Sequence, residues 1–258
     1  MELFTKILVC FLAGAGAGIG TGFAGMSAAA VIGPLLITFL GIEPYEAVGI
    51  GLASDILASL ASAYTYKKNK NIDIKNGVVM MLAVLAMTVV GSFVASLIPP
   101  RAMGNTMQIS MLIIGLRFLI KPVMTTKEQM TSVSKKRQII QSLVGGIIVG
   151  FICGFIGAGG GMMMLFVLTT FLGYELHTAV GTSVFIMAFT ALTGSVSHFA
   201  IGEMPDMLTL ILCVLFTFIW AQIASKIANR SKTETLNRVV GAVLILTSAV
   251  ILTVNFLK

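Results

Sequence analysis

Two stretches of small residues carry the most chemical potential in this 258-residue chain. One is Gly157-Ala158-Gly159-Gly160-Gly161; the other, Gly25-Met26-Ser27-Ala28, lies 132 positions earlier. A helix that begins at such a break presents unpaired backbone N–H groups and a partial positive charge, which suits an anion. Bare backbone also lets a ligand approach the main chain, although small residues serve close helix packing as well. Asp55 is the one carboxylate well inside an apolar segment. A charge at that depth is costly and marks either a functional group, here a carrier for a coupling proton or Na⁺, or a structural partner for a neighbouring helix. His177 opens another apolar segment, as an anion contact, a titrating gate or a residue facing water. Thr182 and Ser183 follow one turn later, with hydroxyls for a substrate or for their own helix backbone. His198 suits an interfacial position, and Arg117, one turn from Lys121, suits snorkelling toward the cytoplasm. Cys10, Cys153 and Cys213 lie apart inside apolar runs, and Met162 to Met164 read as adaptable packing, so neither a metal site nor a cofactor is expected.

These groups sit in a chain whose composition excludes most settings. Hydrophobic residues make up 57% and charged residues 10%, against roughly 45–50% and 25% in soluble domains, and the mean hydropathy is +1.01. Such a chain cannot cover an aqueous surface, so a soluble enzyme, a nucleic-acid binder and a disulfide scaffold are excluded. The lipid bilayer is the expected partner. The net charge of +7 does not point to nucleic acid. Thirteen of the seventeen Lys and Arg fall in three short stretches, Lys67 to Lys75, Lys121 to Arg137 and Lys226 to Arg238, as expected of cytoplasmic loops.

The elements that would hold the candidate groups are apolar segments at about 3–24, 27–40, 44–66, 77–98 and 103–120, then 138–157, 161–173, 176–200, 207–226 and 236–257. The two sets are related by a repeat: GFAG at 22–25 matches GFIG at 154–157, TFLG recurs at 38–41 and 170–173, and AVG at 47–49 and 179–181. Most segments can cross about 30 Å of hydrocarbon, but the second of each set is short enough for a half-helix or re-entrant piece. Gln138 to Tyr174 carries no charge for 37 residues, about 55 Å as one helix, so it must fold back, and the glycine run is the bend. The first eighteen residues have a signal-like pattern, yet their recurrence in mid-chain favours a retained segment. Five segments per set, with Lys67, Lys68, Lys70 and Lys75 in one loop and only Glu203 and Asp206 in its counterpart, predict an inverted-topology repeat with both termini outside. The expected fold is an all-α polytopic membrane protein: a first repeat over 1–121, a cytoplasmic linker over 122–137 and a second repeat over 138–258, with the broken helices meeting near the midplane.

The stretch GFIGAGGGMMMLFVLTTFLGYELHTAVGTSVF, residues 154–185, resembles the second-half motif of the sulfite exporter TauE/SafE family, also called the toluene sulfonate uptake permeases. The matching positions are Gly154, Gly157, Gly159, Gly160, Gly161, Gly173, His177, Ala179, Gly181, Thr182 and Ser183. The first half departs from that pattern at Met26-Ser27-Ala28-Ala29 and at Ile50-Gly51. The resemblance covers essentially the whole chain. It implies a membrane transporter of small anions such as sulfite, sulfonates, other organosulfur acids or carboxylates. An uncoupled anion channel or uniporter is the alternative, against which Asp55 argues. An intramembrane enzyme is disfavoured, since Ser183 and His198 would lie about 22 Å apart on one helix. A homodimer is compatible with the composition and not specified by it.

Overall fold

The computed structural model describes residues 2–96, 106–156, 160–201 and 205–256. Within them the apolar segments are helices: α1 (Glu2–Ala24), α2 (Ala29–Leu40), α3 (Pro44–Lys68), α4 (Ile74–Ser96), α5 (Thr106–Ile120), a short α6 (Lys127–Thr131), α7 (Lys135–Ile156), α8 (Gly160–Thr170), α9 (Leu176–Ile201), α10 (Met207–Arg230) and α11 (Thr233–Phe256). Seven of them are long and apolar enough to cross a bilayer: α1, α3, α4, α7, α9, α10 and α11. The short apolar helices α2 and α8 have 12 and 11 residues, close to the half-helices expected. Helix α7 begins at Lys135, inside the stretch expected as linker.

Local chemistry sets the helix ends. Glu43 accepts from the N–H groups of Tyr45 and Glu46 and caps α3, with Pro44 in its first turn. Thr126 and Gln129 close a reciprocal capping box around α6, and Asp206 caps α10. Helix α2 ends on Gly41 (φ +65°), and Gly173 takes the same left-handed conformation (φ +68°) after α8. Glycine reaches that region without the steric cost a Cβ would bring.

The longest contacts run between α4 and α7 and between α1 and α10, while α3 packs on both α9 and α10, and α5 on α11. Glycine makes the first two possible. A Cβ at Gly14, Gly18 or Gly22 would stand 2.6, 2.5 and 2.5 Å from Phe216 Cβ, Thr217 O and Ala224 Cβ of α10. At Gly146 and Gly150 it would stand 2.6 and 2.5 Å from Met80 O and Val84 O of α4. Membrane helices gain little from expelling lipid, so backbone contact of this kind supplies the packing energy. Leu82, Val89, Ile113, Val196, Ile211 and Leu246 instead point outward and are exposed. In water that surface would be unfavourable; among lipid tails it is solvated.

The polar links mark two ends. At one, Lys6 Nζ donates to Asp206 at 2.8 Å, and the Asp206 N–H donates to Glu46 at 2.9 Å. At the other, Asn71 donates to Asn229 at 2.8 Å, and Asn237 exchanges bonds with the backbone of Val123 at 2.7 and 2.9 Å. The hairpin α1–α2 therefore opens toward the Lys6 end. Its counterpart α7–α8 opens toward the Asn71 end, where Gln138 bonds Met130 O and Tyr174 donates to Asp73.

Candidate functional site

The bend of the first hairpin closes its own hydrogen bonds. Gly25 turns the chain at φ +59°. Its N–H donates to Thr21 O at 3.0 Å, and Met26 N–H donates to Gly20 O at 3.3 Å. The Thr21 hydroxyl returns to Met26 O at 2.9 Å. Met26 and Ala28 are fully buried and Ser27 nearly so.

The bend of the first hairpin meets the first turn of α8 here, at one hydroxyl. Ser183, on α9, donates within reach of Gly25 O at 3.1 Å and Gly161 O at 3.2 Å. A Cβ on Gly161 would lie 2.1 Å from Gly25 O, and one on Gly25 would lie 2.9 Å from Ser183. These two glycines are thus required by the contact between the breaks. Gly160 has a different neighbour, since its Cβ would stand 2.6 Å from Cys153 Sγ. Gly157, Ala158 and Gly159 lie outside the described residues.

Helix α3 leans on the start of α2, where a Cβ at Gly51 would be 2.6 Å from Ala29 Cα. One turn on, Asp55 is fully buried. Ser59 donates to its Oδ1 at 2.8 Å. The Ser27 side chain and the Ala28 N–H face the same carboxylate from the α2 terminus, yet Oδ2 completes no hydrogen bond. An orphaned carboxylate oxygen in so dry a place is expensive unless a proton or a cation shares it.

The remaining candidates separate. The Thr182 hydroxyl accepts from Asp73 N–H at 3.0 Å, on the loop before α4. Thr182 and Ser183 therefore bond other elements rather than their own helix. His177 stands apart from the junction, at the Asn71 end. Its Nδ1 lies 2.7 Å from Glu175 Oε1 and its Nε2 3.1 Å from Ser231 O. The His198 side chain lies outside the described residues. Arg117 stacks its guanidinium 5.1 Å from the Phe166 ring centroid. Among the described residues no cluster of three His, Cys, Asp or Glu could hold a metal.

Sequence reasoning passed over Glu43 and Glu175, although they occupy equivalent places in the repeat just before AVG. It also passed over Tyr66, whose hydroxyl donates to Gly22 O at 2.9 Å, and Lys127, whose ammonium donates to Lys70 O and to Asn71 Oδ1.

Known proteins resemble the chain along most of its length. Residues 10–251 match the family described as Sulfite exporter TauE/SafE. A probable membrane transporter protein of Bacillus subtilis, YunE, is 26% identical over 242 residues, covering 89% of this chain and 88% of that protein. A probable membrane transporter protein of Haemophilus influenzae is 27% identical over 207 residues, covering 78% and 76%. No solved structure matches the chain.

Proposed function

Because the chain belongs to the sulfite exporter TauE/SafE family of membrane transporters, we propose that it is a secondary transporter of a small anion. The substrate class is sulfite, a sulfonate or another organosulfur acid, and the route runs through the junction of the two broken hairpins. The observation that carries this reading is the meeting of Gly25 and Gly161 at Ser183. Helices α2 and α8 both begin there, so their partial positive charges converge on the interior. Irregular backbone at membrane depth is tolerated only where protein or a wet cavity satisfies it, and transporters place binding sites at such breaks.

The halves 1–121 and 138–258 are inverted duplicates, joined by the linker 122–137. In support, Gly41 and Gly173 share a left-handed cap, α1 pairs with α10 as α7 pairs with α4, and the hairpins open to opposite ends. The basic end, with Lys70, Lys127 and Lys232, faces the cytosol. Asp55 carries the coupling ion, H⁺ or Na⁺, because its buried Oδ2 lacks a partner beside the α2 terminus. The residues from Gly25 to Ala28 and from Gly157 to Gly161 form the anion's surroundings, with Thr182 and Ser183 releasing their present partners as the helices move.

The test combines two measurements on the purified chain. A thermal-shift screen with sulfite, thiosulfate, small sulfonates and small carboxylates identifies the ligand, because an anion that binds the folded state stabilises it. Uptake into proteoliposomes under an imposed proton or Na⁺ gradient then reads coupling. Stabilisation by none of these anions, together with no gradient-driven uptake, would overturn the proposal.

A further inference from the structure

A second polar site lies at the basic end of the bundle, away from the hairpin junction. A cavity of about 490 Å³ opens between the turn after α3, the linker helix α6, the start of α9 and the turn between α10 and α11. Asn71, Thr125, Lys127, Glu175, His177 and Thr233 are among the residues that line it. Its volume falls in the range of small-molecule sites.

The acid of its wall is already engaged. Glu175 accepts from the N–H groups of His177 and Thr178 and from the Thr178 hydroxyl, and its Oε1 lies 2.7 Å from His177 Nδ1. Lys127 is not part of that cluster. Its ammonium bonds two neutral oxygens, forms no ion pair among the described residues, and keeps one of its three N–H groups. The hydroxyls of Thr125 and Thr233 have no partner among the described residues and supply neutral donors.

A packed layer separates the cavity from the junction. Ser183 lies six positions beyond His177 along α9, about 9 Å. A Cβ at Gly181 would stand 1.9 Å from Asn71 O and 2.8 Å from Tyr66 Cβ, and Tyr66 is tied to Gly22 O. No ligand passes this layer unless the α3–α4 turn and α9 move apart.

We propose that this cavity is a cytosolic docking site for a small oxyanion, carboxylate or sulfonate, held by Lys127 Nζ and the hydroxyls of Thr125 and Thr233 beneath a closed Tyr66–Asn71–Gly181 gate. It rests on the transport reading for its orientation, but the site is read without measuring uptake, so the two can fail separately. The probe is a cysteine placed at Met124, which lines the cavity and holds nothing, in the full chain. It is challenged with methanethiosulfonate reagents carrying either a sulfonate or a trimethylammonium group, and peptide mass spectrometry follows position 124 alone. The anionic reagent should react about ten-fold faster, methanesulfonate or acetate should slow it, and Lys127→Met should abolish the preference while Lys127→Arg keeps it. Protection by methanesulfonate alone or by acetate alone assigns the oxyanion class. Equal rates for the two reagents in the otherwise native chain overturn the proposal, as does a preference that survives Lys127→Met.

Discussion

Glu43 and Glu175, 132 positions apart, perform the same task at the starts of α3 and α9. Glu43 accepts from the N–H groups of Tyr45 and Glu46 at 2.8 and 3.1 Å, and Glu175 from those of His177 and Thr178 at 3.1 and 2.9 Å. Their surroundings differ. Glu43 is exposed, whereas Glu175 is buried and also binds the His177 ring and the Thr178 hydroxyl.

Removing the two caps should therefore have unequal effects. Glu43→Ala should destabilise the chain by about 1 kcal/mol, an ordinary cap. Glu175→Ala should cost about 3 kcal/mol, because it also strands a buried partner. Burial raises the Glu175 pKa, but the bonds from His177 and Thr178 outweigh it and hold the carboxyl at about 2, below its usual 4.5. A depressed carboxyl stabilises the fold fully above its ordinary pKa and loses that stabilisation as pH falls toward the folded value. The difference between wild type and Glu175→Ala in thermal unfolding should hold from pH 8 to about 5 and shrink from pH 4.5 toward 2. A gap that widens on acidification would contradict this.

Two glycines of the second half should respond differently to the same substitution. Gly161→Ala places a Cβ 2.1 Å from Gly25 O and should cost about 3 kcal/mol or more, with the hairpin tips forced apart. Gly173→Ala meets open space and is strained only by φ +68°, so its cost should be about 1–2 kcal/mol. Unfolding temperatures and detergent-extracted yields distinguish them. A milder effect at 161 than at 173 would mean that the tips are not in contact.

Asp55→Asn preserves an oxygen for Ser59 while removing titration and charge. The variant should still be stabilised by substrate and should exchange it across proteoliposomes, yet fail to accumulate it against a gradient. Accumulation at the wild-type level would remove Asp55 from coupling. Loss of folding would assign it to structure instead.

Orientation is testable in intact cells. Cysteines replacing Lys70, Lys127 or Lys232 should resist an impermeant thiol reagent added outside, whereas one replacing Glu46, at the opposite end with Asp206 and Lys6, should react. Labelling at 70 and protection at 46 would reverse the assignment.

The helices were legible in the sequence because a bilayer core of fixed thickness dictates how long an apolar run must be, and because charge is confined to the ends of those runs. The breaks were legible for a related reason: 37 uncharged residues cannot lie straight within that thickness. The partners of individual side chains were not. Ser183 and His177 lie six positions apart on α9 and appeared as parts of one site, yet the helix carries Ser183 to the tips of both hairpins and leaves His177 at the basic end beside Glu175 and Ser231. Lys127 belonged to an unremarkable linker until the fold brought it onto Asn71, 56 positions away. Asp55 was marked by its type and depth, but its nearness to Ser27 and Ala28 depends on the angle at which α3 crosses α2, which Gly51 and Ala29 set by backbone contact. Segment length and polarity are properties of a run of residues against the bilayer, so the chain alone determines them; which groups share a site depends on how helices cross, and only close packing in three dimensions decides that.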